Sequence, residues 1–203
     1  MASFSDDFNR ANEAPLGAPY TQHAVDSGTT ELDLDSNAVS RGLVGTGEPT
    51  VIHSGTWGPD VEVSALIDDG STFNPFLLLT RLVNPGDSAT GYIADITRAA
   101  NADIYRMDSG YDTKTVIASA AAPNIQVLTW RLRCLSSTIT LSYSSGGAFT
   151  DLIITNDATY ATAGRVGFGS LVFFSADNFL INDLSASAPR VPISRVVGSG
   201  VRW

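Results

Sequence analysis

An all-β, two-sheet jelly-roll sandwich is the fold this sequence predicts. Three observations carry that expectation. The chain is built of short alternating apolar runs split by Gly, Pro, Asn and Asp. It is poor in strong surface-helix formers: seventeen of its acids are Asp against four Glu, and eleven of its bases are Arg against the single Lys114. Asp favours turns and caps over helix interiors. Its two ends, Phe4-Ser5-Asp6-Asp7-Phe8 and Asp177-Asn178-Phe179-Leu180-Ile181, each carry apolar residues at alternate positions, as a pair of closing strands would.

Taken in order, strands are expected at 4–8, 30–35, 38–44, 49–53, 60–67, 75–83, 89–98, 101–107, 113–119, 125–134, 137–143, 149–154, 164–169, 171–174 and 177–184. Phe4 and Phe8 would lie on one face of the first strand, and Phe179 and Ile181 on one face of the last, so that pairing the ends buries all four. Val61, Val63, Ala65 and Ile67 alternate with Asp60, Glu62 and Ser64, which is the period of a half-buried strand. Asn84-Pro85-Gly86-Asp87 is a turn, because Pro presets φ and Gly accepts a positive one. Ala100-Asn101-Ala102 reads as a tight link between antiparallel strands. Leu128, Trp130, Leu132 and Cys134 share one face, which makes Cys134 a buried thiol and Trp130 a core residue. Ile139, Leu141 and Tyr143 repeat the pattern, and Ser144-Ser145-Gly146-Gly147 turns the chain before Phe149. About thirteen to fifteen strands exceed the seven to nine of an immunoglobulin-like sandwich. They suit two stacked sheets of six or seven.

The 203 residues fit one such domain, expected over 1–185. Residues 186–203 differ. Pro189 and Pro192 each remove a ladder donor, and Arg190, Arg195, Arg202 and Trp203 give the segment a basic and aromatic character. It reads either as a frayed end or as an extended arm docking on a neighbouring subunit, with Trp203 as its anchor.

The net charge of -9 argues against coating nucleic acid. A lone cysteine excludes an internal disulfide and a cysteine-based zinc site. Met1-Ala2-Ser3-Phe4 runs into a strand without the charged start or apolar stretch of a signal peptide, and no run approaches a membrane span. Synthesis and folding in a cytoplasm are therefore expected.

The ordered set Asp6-Asp7-Phe8-Asn9-Arg10-Ala11-Asn12, Leu16-Gly17, Tyr20-Thr21, Trp57, Arg81, Gly91-Tyr92, Trp130-Arg131-Leu132-Arg133, Thr159-Tyr160, Gly164-Arg165-Val166-Gly167-Phe168 and Asp177-Asn178-Phe179 resembles concanavalin A-like (laminin G-like) jelly-roll modules over roughly residues 4–185. Such modules occur in tailed-phage virion proteins and as bacterial carbohydrate-binding modules. The resemblance implies a non-enzymatic surface protein: capsid decoration, head fibre or tail-associated, a homo-oligomer such as a trimer, touching other virion proteins and a host glycan. A free-standing bacterial carbohydrate-binding module is the alternative. It also implies a structural calcium near the paired ends, for which Asp6, Asp7 and Asp177 are the side chains on offer. Local turn capping by these Asp residues is the competing reading.

A glycan site needs an exposed aromatic face for sugar C–H groups, or a guanidinium fork for hydroxyls. Trp57 sits in a loop-like stretch, Ser54-Gly55-Thr56-Trp57-Gly58-Pro59, and Arg81, Tyr92, Arg98 and Arg106 fall on strands expected to be neighbours. Cross-strand pairing with Asp95 or Asp103 is the plainer role for the arginines. For catalysis, Glu31-Leu32-Asp33-Leu34-Asp35 projects acids from one strand face. Glucanases of the same broad fold hydrolyse with such a motif, here with Glu31 as nucleophile and Asp35 as acid. A solvated acidic face is the simpler reading. His23 and His53 adjoin no nucleophile elbow. Gly42-Leu43-Val44-Gly45-Thr46-Gly47 follows no βα unit, so it reads as a hairpin loop rather than a phosphate cradle.

Overall fold

The computed structural model describes residues 2–24, 32–41, 49–68, 75–85, 88–170 and 175–185. Among them are fifteen strands: β1 (Ser3–Asp6), β2 (Tyr20–Ala24), β3 (Leu32–Asp35), β4 (Ala38–Arg41), β5 (Pro49–His53), β6 (Val61–Asp68), β7 (Pro75–Val83), β8 (Thr90–Thr97), β9 (Asn101–Met107), β10 (Lys114–Ala121), β11 (Val127–Leu135), β12 (Thr138–Ser144), β13 (Thr150–Asn156), β14 (Arg165–Ser170) and β15 (Ser175–Asp183). A single 3-10 turn, Tyr111–Thr113, is the one helical element among the described residues.

The strands form two antiparallel sheets. The first runs β13-β12-β11-β6-β15-β4-β3, with β1 also on β15; the second runs β10-β9-β8-β7-β14-β5-β2. The ends of the domain do meet: Phe4 pairs with Ile181 and Asp6 with Phe179. β1 and β4 share one edge of β15, β4 at Ala176 and β1 from Phe179 to Asn182, while on the other edge the pairing with β6 shifts register between Asp177 and Leu180. Asn178 takes a φ of 50° there, a left-handed conformation that Asn tolerates better than most residues.

The core follows the period-2 pattern. Ile181, Val63, Leu132, Leu141 and Ile153 form one inward row across five strands of the first sheet, all nearly or fully buried. Phe76, Leu78, Tyr92, Ala94, Ile104, Val166 and Phe168 face them from the second. Cys134 is buried as expected, its sulfur 3.2 Å from Thr80 Oγ1, and burial pushes its thiol pKa up.

Three expectations need correction. The first strand stops at Asp6, whose carboxylate accepts the Phe8 amide (2.8 Å) and turns the chain; Phe8 reaches the core from this turn, at a φ of 52°, rather than from the strand face. Of the four terminal apolar side chains, Phe8, Phe179 and Ile181 are buried and Phe4 is half-buried. β2 was not expected, because Tyr20-Thr21-Gln22-His23-Ala24 offers one large apolar residue to an edge position. The strand expected at 171–174 and the loop 42–47 lie outside the described residues.

Candidate functional site

The two outer faces of the sandwich differ in chemistry. On the first sheet, the residues that alternate with the core row are polar except for Leu180. Ser5 pairs with Leu180, Leu180 with Ser64, Ser64 with Arg131, Arg131 with Ser142, and Ser142 with Asp151. These six strands are contributed by widely separated parts of the chain, yet their side chains stand in one line. At about 4.8 Å per strand the line spans roughly 24 Å. The next row, Ser3, Asn182, Glu62, Arg133 and Thr140, runs alongside it.

Arg131 organises the middle of this face. Its Nη2 donates to Ser142 Oγ (3.2 Å), and Ser142 donates in turn to Asp151 Oδ1 (2.7 Å). Nη1 lies 3.5 Å from Glu62 Oε2, and the guanidinium carbon sits 3.9 Å from the centre of the Phe149 ring. An Arg whose guanidinium sits over an aromatic ring is a preorganised fork of donors. Asn182 Nδ2 donates to Glu62 Oε1 (3.2 Å) and fixes the carboxylate. Ser64 and Ser142 are buried, whereas Ser5 and Asp151 are exposed and Leu180, Arg131 and Phe149 are half-buried.

At its β1 end the line opens into a cleft of about 430 Å³, lined by Ser5, Asp6, Asp7, Asn178, Phe179 and Leu180. This is where the sequence offered calcium ligands, but the residues present do not fit the ion. Both Asp6 oxygens accept from Arg10 Nη1 (2.7 and 2.8 Å), Oδ2 also accepts from the Tyr20 hydroxyl (3.1 Å), and Oδ1 from the Phe8 amide. Asp7 accepts the Asn9 amide and Asp177 the Asn178 amide, so both cap turns. Among the described residues no three acids, histidines or cysteines converge on a metal position. Burial, reinforced by the Asp6 carboxylate, raises the Tyr20 phenol far above its ordinary range, so it stays a donor.

The sequence-selected glycan residues go elsewhere. Trp57 is only 8% exposed, bridged through its backbone to Gly164 and packed 5.4 Å from His53. Arg81 is 1% exposed: Nε donates to the Pro59 carbonyl (2.6 Å), Nη2 to the Ser136 carbonyl (2.6 Å) and Nη1 to the Tyr160 carbonyl (3.3 Å). Tyr92 is buried, donating to the Asp157 carboxylate (2.9 Å) and accepting the Tyr160 amide (3.1 Å); burial pushes its pKa up to about 12. Arg106 is half-buried and ion-paired with Asp108 and Asp157, each at 3.0 Å. The structure thus brings Arg81, Tyr92 and Arg106 together, but around the Asp157–Tyr160 turn as its scaffold. Burial opposes the Asp157 charge, while hydrogen bonds from Thr159, Tyr92 and Arg106 outweigh it and hold the carboxyl below its usual pKa. Arg98 lies in a crevice with Ile67, Phe76 and Trp130, away from the other four.

Of the acidic motif, Glu31 lies outside the described residues. Asp33 and Asp35 do share the outer side of β3, opposite buried Leu32 and Leu34. Burial raises the Asp33 pKa, and Asp35 accepts from Asn12 (2.7 Å) and Ser36 (3.1 Å). The side chain of His23 and the segment with Arg190, Arg195, Arg202 and Trp203 also fall outside the described residues. Arg131 and Phe149 were missed as site residues, although Trp130-Arg131-Leu132-Arg133 was singled out; the alternation there already aimed Arg131 outward, opposite the core face of Trp130.

No family profile and no curated protein matches the sequence. Solved structures do match in shape. The carbohydrate-binding module CBM66 from Bacillus subtilis superposes with a TM-score of 0.58 at 16% identity, covering 79% of this chain and 91% of that one. A Bacillus subtilis protein of unknown function with a galectin-like fold gives 0.61 at 10% identity, over 81% and 89%. The lumenal domain of VIP36, in its Ca2+- and Man2-bound form, gives 0.61 at 13% identity, over 91% and 88%. The fold is the galectin-like, concanavalin A-like jelly roll. Its two antiparallel sheets and near absence of helix agree with the sequence resemblance to concanavalin A-like modules.

Proposed function

We propose that this jelly roll is a non-enzymatic carbohydrate-binding module, and that it holds an extended, hydroxyl-rich ligand along the outer face of its terminal-strand sheet. The observation that carries the reading is the line Ser5–Leu180–Ser64–Arg131–Ser142–Asp151, with Arg131 laid on Phe149. Guanidinium and carboxylate groups pair with sugar hydroxyls in both hydrogen-bonding senses, while Leu180 and Phe149 offer apolar surface to ring C–H groups. The neighbours in shape support the class: one is a carbohydrate-binding module, and one was solved with Man2.

Affinity electrophoresis against a panel of soluble polysaccharides, with mannose oligosaccharides as competitors, tests it. Retardation by at least one polysaccharide is expected. Arg131→Ala should weaken it by at least tenfold in apparent Kd with an unchanged far-UV spectrum. A chain that migrates freely through every gel, or an Arg131→Ala chain retarded like the parent, overturns the reading.

The finer setting, a virion-surface protein of a tailed phage that meets host glycans through this face, is part of the same proposal. It is supported by the resemblance of the sequence, and reading frames for capsid and tail proteins on either side of this one are its expected context.

A further inference from the structure

Two arginines stand on the outer face of the first sheet, and only one of them is paired. Along β11, Val127, Thr129, Arg131, Arg133 and Leu135 alternate with the buried Leu128, Trp130, Leu132 and Cys134, so all five lie on the outer side. Arg131 is neutralised within the protein, by Glu62 at 3.5 Å and Asp151 at 3.7 Å. Arg133 lies directly opposite Glu62 in the register of β11 and β6, the position from which opposite charges pair across strands. That pair does not form. Glu62 turns Oε2 to its diagonal neighbour Arg131, and its Oε1 accepts from Asn182. On the other side Arg133 is opposite Thr140, which is uncharged and only 4% exposed. The half-buried Arg133 thus has no ion pair or hydrogen bond from its guanidinium to any described residue, and none of its nitrogens is sealed from solvent.

We infer that Arg133 receives an anionic substituent, a carboxylate or a sulfate ester, of a sugar held along this face. The inference rests on the carbohydrate-binding reading above and adds the ligand class, an acidic glycan. A planar guanidinium meets a carboxylate or sulfate with two parallel hydrogen bonds, and such charge-assisted bonds are roughly twice as strong as neutral ones. Arg133 lies roughly 7 Å along β11 from Arg131, in the row beside the Ser5–Asp151 line, so a chain laid on that line runs past it. At the same spacing on its far side stands Leu135, 49% exposed and one of five exposed large apolar side chains among the described residues. A fork for the acid group next to apolar surface for ring C–H groups is the combination an acidic sugar requires. The one carboxylate facing Arg133 across the strands, Glu62, already has its charge matched by Arg131. The net charge of -9 opposes polyanions at long range. At about 0.15 M salt the screening length is about 8 Å, so selection passes to the groups on the face itself.

Biolayer interferometry of the full chain at that salt, over immobilised polysaccharides in matched pairs, tests it. The pairs are polygalacturonate with its methyl ester, and dextran sulfate with dextran; the first reads a carboxylate and the second a sulfate. In at least one pair the acidic member should bind at least tenfold more tightly than the neutral one. Arg133→Gln should abolish that preference while the melting temperature and the affinity for the neutral member stay as in the parent. Arg133→Lys, which keeps the charge without the fork, should retain part of the preference, an outcome that a merely structural role would not produce. Binding of the neutral members with no preference for either acidic one overturns the inference and leaves the carbohydrate-binding reading standing. A preference that survives Arg133→Gln overturns the assignment to this residue. Absence of binding to all four also overturns the inference, and the carbohydrate-binding reading then stands or falls on the wider polysaccharide panel alone.

Discussion

The Arg81 guanidinium, fully buried between the sheets, donates to the main-chain carbonyl of Ser136 at 2.6 Å, and the nearest carboxylate, Asp60, stands 3.8 Å away. A cation is therefore neutralised largely by backbone oxygens. The position depends on a bulge: Arg81 has a φ of 52°, and the pairing of β7 slips between Thr80 and Val83. On the flanking strands Gly91 and Gly164 stand where a Cβ would strike the Arg81 or Thr80 backbone, so glycine is required for the close approach. Arg81→Ala leaves three carbonyls without their donor, and Arg81→Lys replaces a planar fork with a point charge. Both should lower stability by about 3–5 kcal/mol, by analogy with breaking a buried charged network. Urea unfolding checks this; a loss of ligand binding at unchanged stability would contradict it.

The closed ends make a second, graded prediction. Phe8 is fully buried against Tyr20 and Phe168, while Phe4 is half-buried and packs at a tilt against His53, ring centres 4.4 Å apart. Phe8→Ala should cost about 3–5 kcal/mol, and Phe4→Ala roughly half of that, since less surface returns to water. Thermal melts of the two variants should rank in that order. Equal costs would mean that the β1–β15 seam matters more than the turn at Asp6.

How much of this was legible in the sequence depends on the range of the information. Strand alternation is local, and it placed Cys134, Trp130 and Ile139 correctly inside. The meeting of the ends was legible because Phe4 and Phe8 at the start and Phe179 and Ile181 at the finish each repeat at even spacing, the pattern of a half-buried strand. The site was not legible. Trp57, Arg81 and Tyr92 were selected by residue type, but a positive φ at Arg81 and a bridge from Trp57 to Gly164 turn these residues inward, and neither can be read from neighbours in sequence. The polar line from Ser5 to Asp151 needs the register of six strands drawn from both ends of the chain. Single-strand periodicity reports that Arg131 points outward, but not what stands beside it.

Asp6 distinguishes a metal ligand from a turn cap. With both oxygens taken by Arg10, Tyr20 and the Phe8 amide, the carboxylate has a complete set of donors from the protein itself. Adding millimolar Ca2+ or EDTA should leave the melting temperature within about 1 °C, a shift worth only tenths of a kcal/mol in a domain of this size. Asp6→Asn should lower stability by roughly 1–3 kcal/mol, equally with and without the ion. A calcium-dependent melt that Asp6→Asn abolishes would restore the metal site.

His53 gives the fold a pH dependence that can be isolated. The residue is 9% exposed, its ring packed against Phe4, Tyr20 and Trp57, and its Nδ1 accepts the Gly55 amide at 3.0 Å. Burial lowers its pKa, so the folded protein resists the proton that the unfolded chain takes up. The sign follows from linkage. Where the unfolded state binds more protons, stability rises with pH. The contribution of His53 is therefore complete above the unfolded value of about 6.5 and is lost as pH falls from there through its lower folded value. Most carboxylates titrate nearer pH 4, so the window from about 5 to 6.5 belongs mainly to histidine. Urea midpoints across that window should decline with falling pH in the parent chain and flatten in His53→Gln, whose absolute stability is lower. A parent chain whose midpoint is level from pH 6.5 to 5, or a variant that keeps the parent slope, would mean that His53 takes its proton inside the fold without penalty.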